Sequence, residues 1–239
     1  MQTNPTQNLL TVSNLKAWYG KSQILNGVNL EVRPGEIVCM TGRNGAGRST
    51  TCKAIMGLVT KSGEITFKGK RIDGAQVHEV ARAGIGFVPE ERLVFSALTV
   101  RQNLELGEKS GARSGTWNID EALRLFPNLR NRADVAAGSL SGGEQQMLSM
   151  CRALMGNPEL LIVDEPTEGL APAVVEVIAD LLQEVVRRGA AVILVEQKLP
   201  VALRISNRLY VVGHGQTVFE GTPDALRAAD NVRKEWLEV

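Results

Sequence analysis

Residues 42–50 read Gly-Arg-Asn-Gly-Ala-Gly-Arg-Ser-Thr. The glycines at 42, 45 and 47 let a backbone wrap closely around an anion, with successive N–H groups pointing inward. A helix beginning near residue 48 adds the positive end of its dipole at the same place. In every position but one this is the phosphate-cradling pattern G-x-x-x-x-G-K-[ST], here Gly42, Arg43, Asn44, Gly45, Ala46, Gly47, Arg48, Ser49 and then Thr50. Arg48 stands where the pattern has lysine. It keeps the charge but replaces a compact ammonium by a longer planar fork of donors, so phosphate binding and hydrolysis need not survive equally.

Two further clusters have the residue types such a loop needs. Leu160-Leu161-Ile162-Val163-Asp164-Glu165 is a continuous apolar run ending in two carboxylates. A buried strand of this kind places Asp164 to organise Mg²⁺ and Glu165 to polarise an attacking water, although two acids can also simply mark a strand's polar end. Leu140-Ser141-Gly142-Gly143-Glu144-Gln145-Gln146 combines a capping-box spacing, Ser141 with Glu144, and two glycines that allow close backbone approach. This too reads as a helix N-terminus facing an anion, or more plainly as a helix cap.

The elements that must position these residues alternate between strand and helix. Leu9–Val12, Val28–Val32 and Ile37–Met40 read as short strands, with Pro34-Gly35 turning the chain between the last two. The third runs straight into the glycine loop, and Ser49–Met56 is the helix after it, closed by Gly57. A hairpin around Gly63–Ile72 turns near Lys68-Gly69-Lys70, and Ile85–Val88 is a strand broken by Pro89. Helix signals then dominate: Thr99 and Gln102 have capping-box spacing, and Asp120–Phe126 is amphipathic up to Pro127. We expect a helical subdomain inserted at about residues 91–156. Val174, Val177, Ile178, Leu181, Leu182 and Val185 recur at helical spacing before Gly189 and a second buried strand, Ala191–Val195. A strand pair around Gly213–Gly215 and a helix capped by Thr222, with Pro223 in its first turn, complete the chain.

Composition narrows the classes. With 239 residues the chain can bury a sizeable core, as one domain spanning 9–239 behind a disordered lead-in, residues 1–8. With 27 Lys+Arg against 26 Asp+Glu, a net charge of +1 makes no electrostatic case for nucleic acid or a lipid surface. Cys39, Cys52 and Cys151 lack metal-ligand spacing and are odd in number, which reads as small buried hydrophobes in a reducing compartment. No apolar run reaches the ~20 residues that span a bilayer, and Met1–Asn8 is polar. The expectation is a cytosolic chain held at a membrane only by a partner.

Taken together, these motifs resemble the ATP-binding subunits of the ABC transporter superfamily, with Leu140–Gln146 matching the family's signature. The resemblance covers essentially all of residues 9–239. It implies an α/β fold: a phosphate-loop NTPase core of mostly parallel sheet flanked by helices, with an N-terminal antiparallel β subdomain and the inserted helical one. It implies ATP and Mg²⁺ as ligands, two such subunits paired head-to-tail as homo- or heterodimer, and integral-membrane permeases as partners. The protein would sit at the cytoplasmic face of the cell membrane and serve a solute-binding protein indirectly, with no nucleic acid involved. By the same resemblance Tyr19 stacks on adenine, Ser49 coordinates Mg²⁺, which Asp164 holds through water, Thr50 contacts phosphate, and Ser141, Gly142 and Gly143 reach the partner's nucleotide.

Departures from the superfamily's usual residues point to a subfamily. Pro89-Glu90 follows the strand Ile85–Val88 where most members have glutamine, and Glu196-Gln197 follows Ala191–Val195 where most have histidine. With Phe95, Leu98-Thr99-Val100 and the run Asp164–Pro172, this is similar to an ATPase subunit of branched-chain amino-acid importers and the related urea importers. Gln197 can donate a hydrogen bond to phosphate but carries no proton, and Glu90 can ligate Mg²⁺ or its water. Glu165, Gln197 and Glu90 are the candidate catalytic residues. His78 and His214 occupy neither departure and read as surface residues, His214 at a hairpin tip. A soluble ABC ATPase of DNA repair or translation fits less well, because the chain has one cassette and no basic patch. A structural subunit relying on a competent partner ATPase rests on Arg48 alone.

Overall fold

The computed structural model describes residues 8–108 and 117–237. The expected lead-in 1–8 lies, except for Asn8, outside the described residues. Among the described residues ten strands form one sheet: β1 (Leu10–Tyr19), β2 (Ser22–Val32), β3 (Ile37–Thr41), β4 (Thr60–Phe67), β5 (Lys70–Arg71), β6 (Ile85–Val88), β7 (Leu160–Asp164), β8 (Ala191–Val195), β9 (Arg208–Gly213) and β10 (Gln216–Gly221), in spatial order 5-4-1-2-10-9-3-8-7-6. The 9-3-8-7-6 half is parallel throughout. The other half is antiparallel, through pairs 1-2, 1-4 and 4-5, and joins the core where Gln216 of β10 pairs with Gly27 of β2.

The helices are α1 (Arg48–Ile55), α2 (Val77–Ala83), α3 (Val100–Glu105), α4 (Ile119–Leu125), α5 (Pro127–Arg130), α6 (Gly142–Leu154), α7 (Pro172–Arg187), α8 (Leu199–Ile205), α9 (Pro223–Ala228) and α10 (Asp230–Trp236). Between β6 and β7 the described elements are helical. Pro127 starts α5 rather than merely ending α4, since a helix's first turn tolerates its missing N–H.

Alternation along the central strands divides the core in two. Ile37 and Cys39, Leu161 and Val163, and Val192 and Leu194 face one apolar cluster, shared with α3, α4, α6 and α7. Val38 and Met40, Leu160 and Ile162, and Ile193 and Val195 face the other, shared with α1 and the antiparallel strands. A strand buried on both faces needs no polar alternation, which is why the apolar runs ending at Met40, Val163 and Val195 are continuous. Each fully buried Leu or Ile is worth about 1.5–3 kcal/mol, so the C-terminal ends of these strands are firmly anchored.

The first two strands are much longer than the expected Leu9–Val12 and Val28–Val32. Their pairing is interrupted by register shifts between Val12 and Leu15, Leu15 and Lys16, and Ala17 and Trp18, and bulges of this kind erase the period of two by which a strand is read. The three cysteines are buried and free, and burial pushes each thiol well above its ordinary range.

Candidate functional site

β3 delivers the glycine loop at the C-terminal edge of the parallel strands, and α1 begins at Arg48 directly after it. Glycine is required at two positions, both with positive φ and both close to a neighbour. At Gly42 a Cβ would lie 2.3 Å from the carbonyl oxygen of Val212, and at Gly47 it would lie 2.6 Å from Leu25 Cδ2 with φ at 107°. Gly47 caps α1 without a side chain, and the first turn contains no acidic residue. The first N–H groups of the helix are therefore left for an external acceptor. From behind, Gly215 N–H donates to Ala46 O at 2.9 Å.

A cleft of about 440 Å³ opens in front of this loop, lined by Tyr19, Ile24, Asn44, Gly45, Gly47, Arg48, Ser49, Thr50, Glu90, Glu165 and Gln197. All of these except Ile24 were singled out in the sequence. Tyr19 is 47% exposed, which leaves its ring accessible for stacking. Glu90 arrives from the segment after β6, and Gln197 from the segment after β8.

β7 ends at Asp164, whose Oδ1 accepts a hydrogen bond from Ser49 Oγ at 3.0 Å. Burial first of all, and secondarily the neighbouring Glu165 and Glu90 charges, push the Asp164 carboxyl up to about 6, against the lowering effect of the Ser49 hydroxyl. The residue after it, Glu165, takes φ 45°, a left-handed conformation that is unusual for a non-glycine residue and turns its carboxylate out of the strand. Glu165 Oε1 lies 2.9 Å from Arg48 Nη2, and Glu165 Oε2 accepts from Gln197 Nε2 at 2.6 Å. Arg48 Nη2 also donates to Asn44 Oδ1 at 3.3 Å, while Arg48 Nη1 is buried with no acceptor among the described residues.

These groups suit a phosphate and a hard cation. The buried, unpartnered Nη1 and the uncapped helix start are donors in want of an anion. The Ser49 hydroxyl and Asp164 carboxylate form an all-oxygen pair of the kind Mg²⁺ takes, leaving its other positions to water and phosphate.

Not every candidate reaches this cleft. Arg43 and Ala46 line instead a neighbouring cavity of about 240 Å³, which shares Asn44 and Gly45 with the cleft and is completed by Val212, Gly213, His214, Glu235 and Trp236. Arg43 Nη2 donates to Lys234 O at 3.4 Å. Ser141, Gly142, Gly143 and Glu144 are likewise absent from the cleft lining. Ser141 caps α6 with the full capping box: Glu144 N–H donates to Ser141 Oγ, and Glu144 Oε2 accepts from Ser141 N–H at 2.8 Å. The Ser141 N–H, more than any other contact, holds the Glu144 carboxyl below its ordinary range.

One organiser of the site carried no assigned role in the sequence. Glu196 is buried; its Oε2 accepts from Thr167 Oγ1 at 2.7 Å, and its Oε1 accepts from the N–H groups of Gln197 and Lys198, each at 2.8 Å. Lys198 Nζ donates back to Thr167 O at 2.8 Å. The segments carrying Glu165 and Gln197 are thus tied together behind the cleft, through contacts between residues far apart in the chain that no local pattern announces.

The family profile described as ABC transporter matches residues 25–168. This chain belongs to the ABC transporter ATP-binding family. The branched-chain amino acid transport ATP-binding protein BraG of Pseudomonas aeruginosa is 40% identical over 231 residues, covering 96% of this chain and 99% of BraG. The lipopolysaccharide export ATP-binding protein LptB of Haemophilus influenzae is 32% identical, covering 96% and 97% of the two chains. Among solved structures, the ABC transporter cassette MJ1267 superposes with a TM-score of 0.82 at 28% identity, over 96% of this chain and 97% of that one. The ABC chain described here is accordingly a nucleotide-binding ATPase on a phosphate-loop α/β fold. No helix among its described residues is long and apolar enough to cross a membrane.

Proposed function

We propose that this ABC ATPase is the energy-coupling subunit of an importer for branched-chain amino acids or a related small polar solute. The observation that carries the reading is the end-to-end 40% identity with BraG, set against 32% with the export ATPase LptB. In this reading MgATP occupies the cleft of Tyr19, Asn44, Gly45, Arg48, Ser49 and Thr50, with Tyr19 against adenine. Ser49 and Asp164 hold Mg²⁺, which neutralises phosphate charge when bound. Glu165 orients the attacking water, Gln197 positions Glu165 through its 2.6 Å hydrogen bond, and Glu90 reaches the metal's water from the segment after β6.

Ser141, Gly142, Gly143 and Glu144 serve a second nucleotide. Their absence from this chain's own cleft favours a head-to-tail pair with another ATP-binding subunit, identical or not, in which each signature faces the other subunit's phosphate loop. Permease subunits fit a groove of about 490 Å³ whose lining includes Phe87, Phe95, Leu106, Gly107 and Arg152. Phe95 and Leu106 there are 53% and 58% exposed, a neighbouring pair of large apolar side chains open to a partner. The subunit then works peripherally, on the cytoplasmic face, and meets the solute-binding protein only through the permease. Arg48 makes hydrolysis slower than a lysine at the same place.

The test is transport. Deleting the gene should abolish high-affinity uptake of labelled leucine, isoleucine and valine. The wild-type gene should restore it and a Glu165→Gln version should not. Undiminished uptake of all three, and of a panel of small polar solutes, would overturn the importer reading.

A further inference from the structure

The cleft contains an ion pair that its chemistry requires to be broken. Arg48 and Glu165 meet at 2.9 Å with side chains 4% and 9% exposed, and Gln197 occupies the other carboxylate oxygen. Held in this way, Glu165 has each of its oxygens engaged by a donor from the protein. On the arginine side the arrangement is incomplete. Nη2 is shared between Glu165 and Asn44, and Nη1 is buried without an acceptor among the described residues. A buried donor with no acceptor is a standing penalty, and an arriving anion would remove it.

We propose that Arg48 gates Glu165. In the nucleotide-free protein the guanidinium holds the carboxylate; a triphosphate entering the cradle engages Nη1 first, then draws Nη2 off Glu165 Oε1 and leaves that oxygen open to water. Filling the cradle and freeing the carboxylate are then a single event. A lysine ammonium puts its three N–H donors on a single nitrogen, so it cannot occupy a site beside the carboxylate and a separate one in the phosphate cradle. The guanidinium has two outer nitrogens and passes from one partner to the other without losing both. Because the pair must be broken, Glu165 opposes nucleotide binding by holding Arg48, over and above its direct repulsion of phosphate. The gate rests on the nucleotide reading of this cleft.

A binding cycle separates the two. The dissociation constant of a non-hydrolysable ATP analogue with Mg²⁺ would be measured by calorimetry for the wild type, Glu165→Gln, Arg48→Met and the double variant. With Arg48 present, Glu165→Gln should tighten binding about tenfold; in the Arg48→Met background the same change should tighten it by only about threefold, the part due to direct repulsion. Equal tightening in both backgrounds overturns the gate and leaves the nucleotide site intact. Failure of the wild type to bind the analogue removes the nucleotide reading itself, and the gate with it. Should a variant not fold, the wild type carries the test. In spectra of ¹⁵N-arginine-labelled protein, the Arg48 Nη signals should change on saturation with the analogue, and signals that stay put at saturation overturn the gate.

Discussion

Ser49 Oγ donates to Asp164 Oδ1 at 3.0 Å across the junction of α1 and β7, so the hydroxyl and carboxylate that would share a cation already face each other in the free protein. That readiness has a stability consequence. The buried Asp164 carboxyl is pushed up to about 6 from an ordinary 3.8, chiefly by burial. The folded state therefore holds the proton more tightly than the unfolded one. The stabilising contribution is fully present below pH 3.8 and is lost as pH rises through about 6. Above that, the charged carboxylate weakens the metal-free fold. Asp164→Asn should raise the stability of the nucleotide-free protein at a pH of about 7.5 by about 1–3 kcal/mol and gain progressively less as pH falls towards about 4. Urea denaturation of both proteins at several pH values checks the slope; a gain independent of pH contradicts it.

Turnover should respond to position 48. With permease partners reconstituted, Arg48→Lys should increase kcat about tenfold or more, because a misplaced transition-state contact commonly costs roughly 10²–10³ in rate. The KM for ATP should move much less, since ground-state binding also draws on the loop amides. Steady-state ATPase assays decide it, and equal kcat values for the two proteins would sink the expectation.

Glu196 should prove structural. Glu196→Ala strands the Thr167 hydroxyl and the N–H groups of Gln197 and Lys198, three donors that it satisfies at 2.7–2.8 Å. A loss of about 1–3 kcal/mol follows, chiefly from leaving the buried Thr167 hydroxyl without its acceptor, the two part-buried N–H groups adding less. Glu196→Gln, which keeps one carbonyl acceptor, should lose less than half of that. Denaturant midpoints measured at constant m-value distinguish the two.

Ser141→Ala should act in two places. Losing the cap of α6 lowers stability by about 0.5–2 kcal/mol. If the signature reads a partner's nucleotide, the same change should also abolish the ATP-dependent dimer of a Glu165→Gln background while leaving ATP binding by the monomer intact. Sedimentation with and without MgATP would show it, and a persistent dimer would refute the head-to-tail arrangement.

What could be read from the sequence was local. The loop at 42–50 announces itself because a backbone cradle needs glycine at fixed short spacings, and the capping boxes at Thr99 and Ser141 because a cap and its reciprocal carboxamide or carboxylate are three residues apart. β7 and β8 are legible as unbroken apolar runs. β1 and β2 are only half legible, since register shifts break their alternation. The pairing of Arg48 with Glu165 joins distant parts of the chain, and neither residue type dictates it. Arg43 lies within the motif but turns away from the cleft towards Lys234, a choice set by α10 rather than by the motif.

The phosphate loop hangs from β3, whose two neighbours in the sheet are β8 and β9, and it is buttressed by the amide of Gly215. On a ribosome the loop is written early, yet its flanking strands, Ala191–Val195 and Arg208–Gly213, and then its buttress are translated long afterwards. A nascent chain stalled just after Leu160 carries the whole motif and has no floor beneath it. The cradle is thus written before its support, and its hydrogen-bonded backing is complete only once residue 215 has been added.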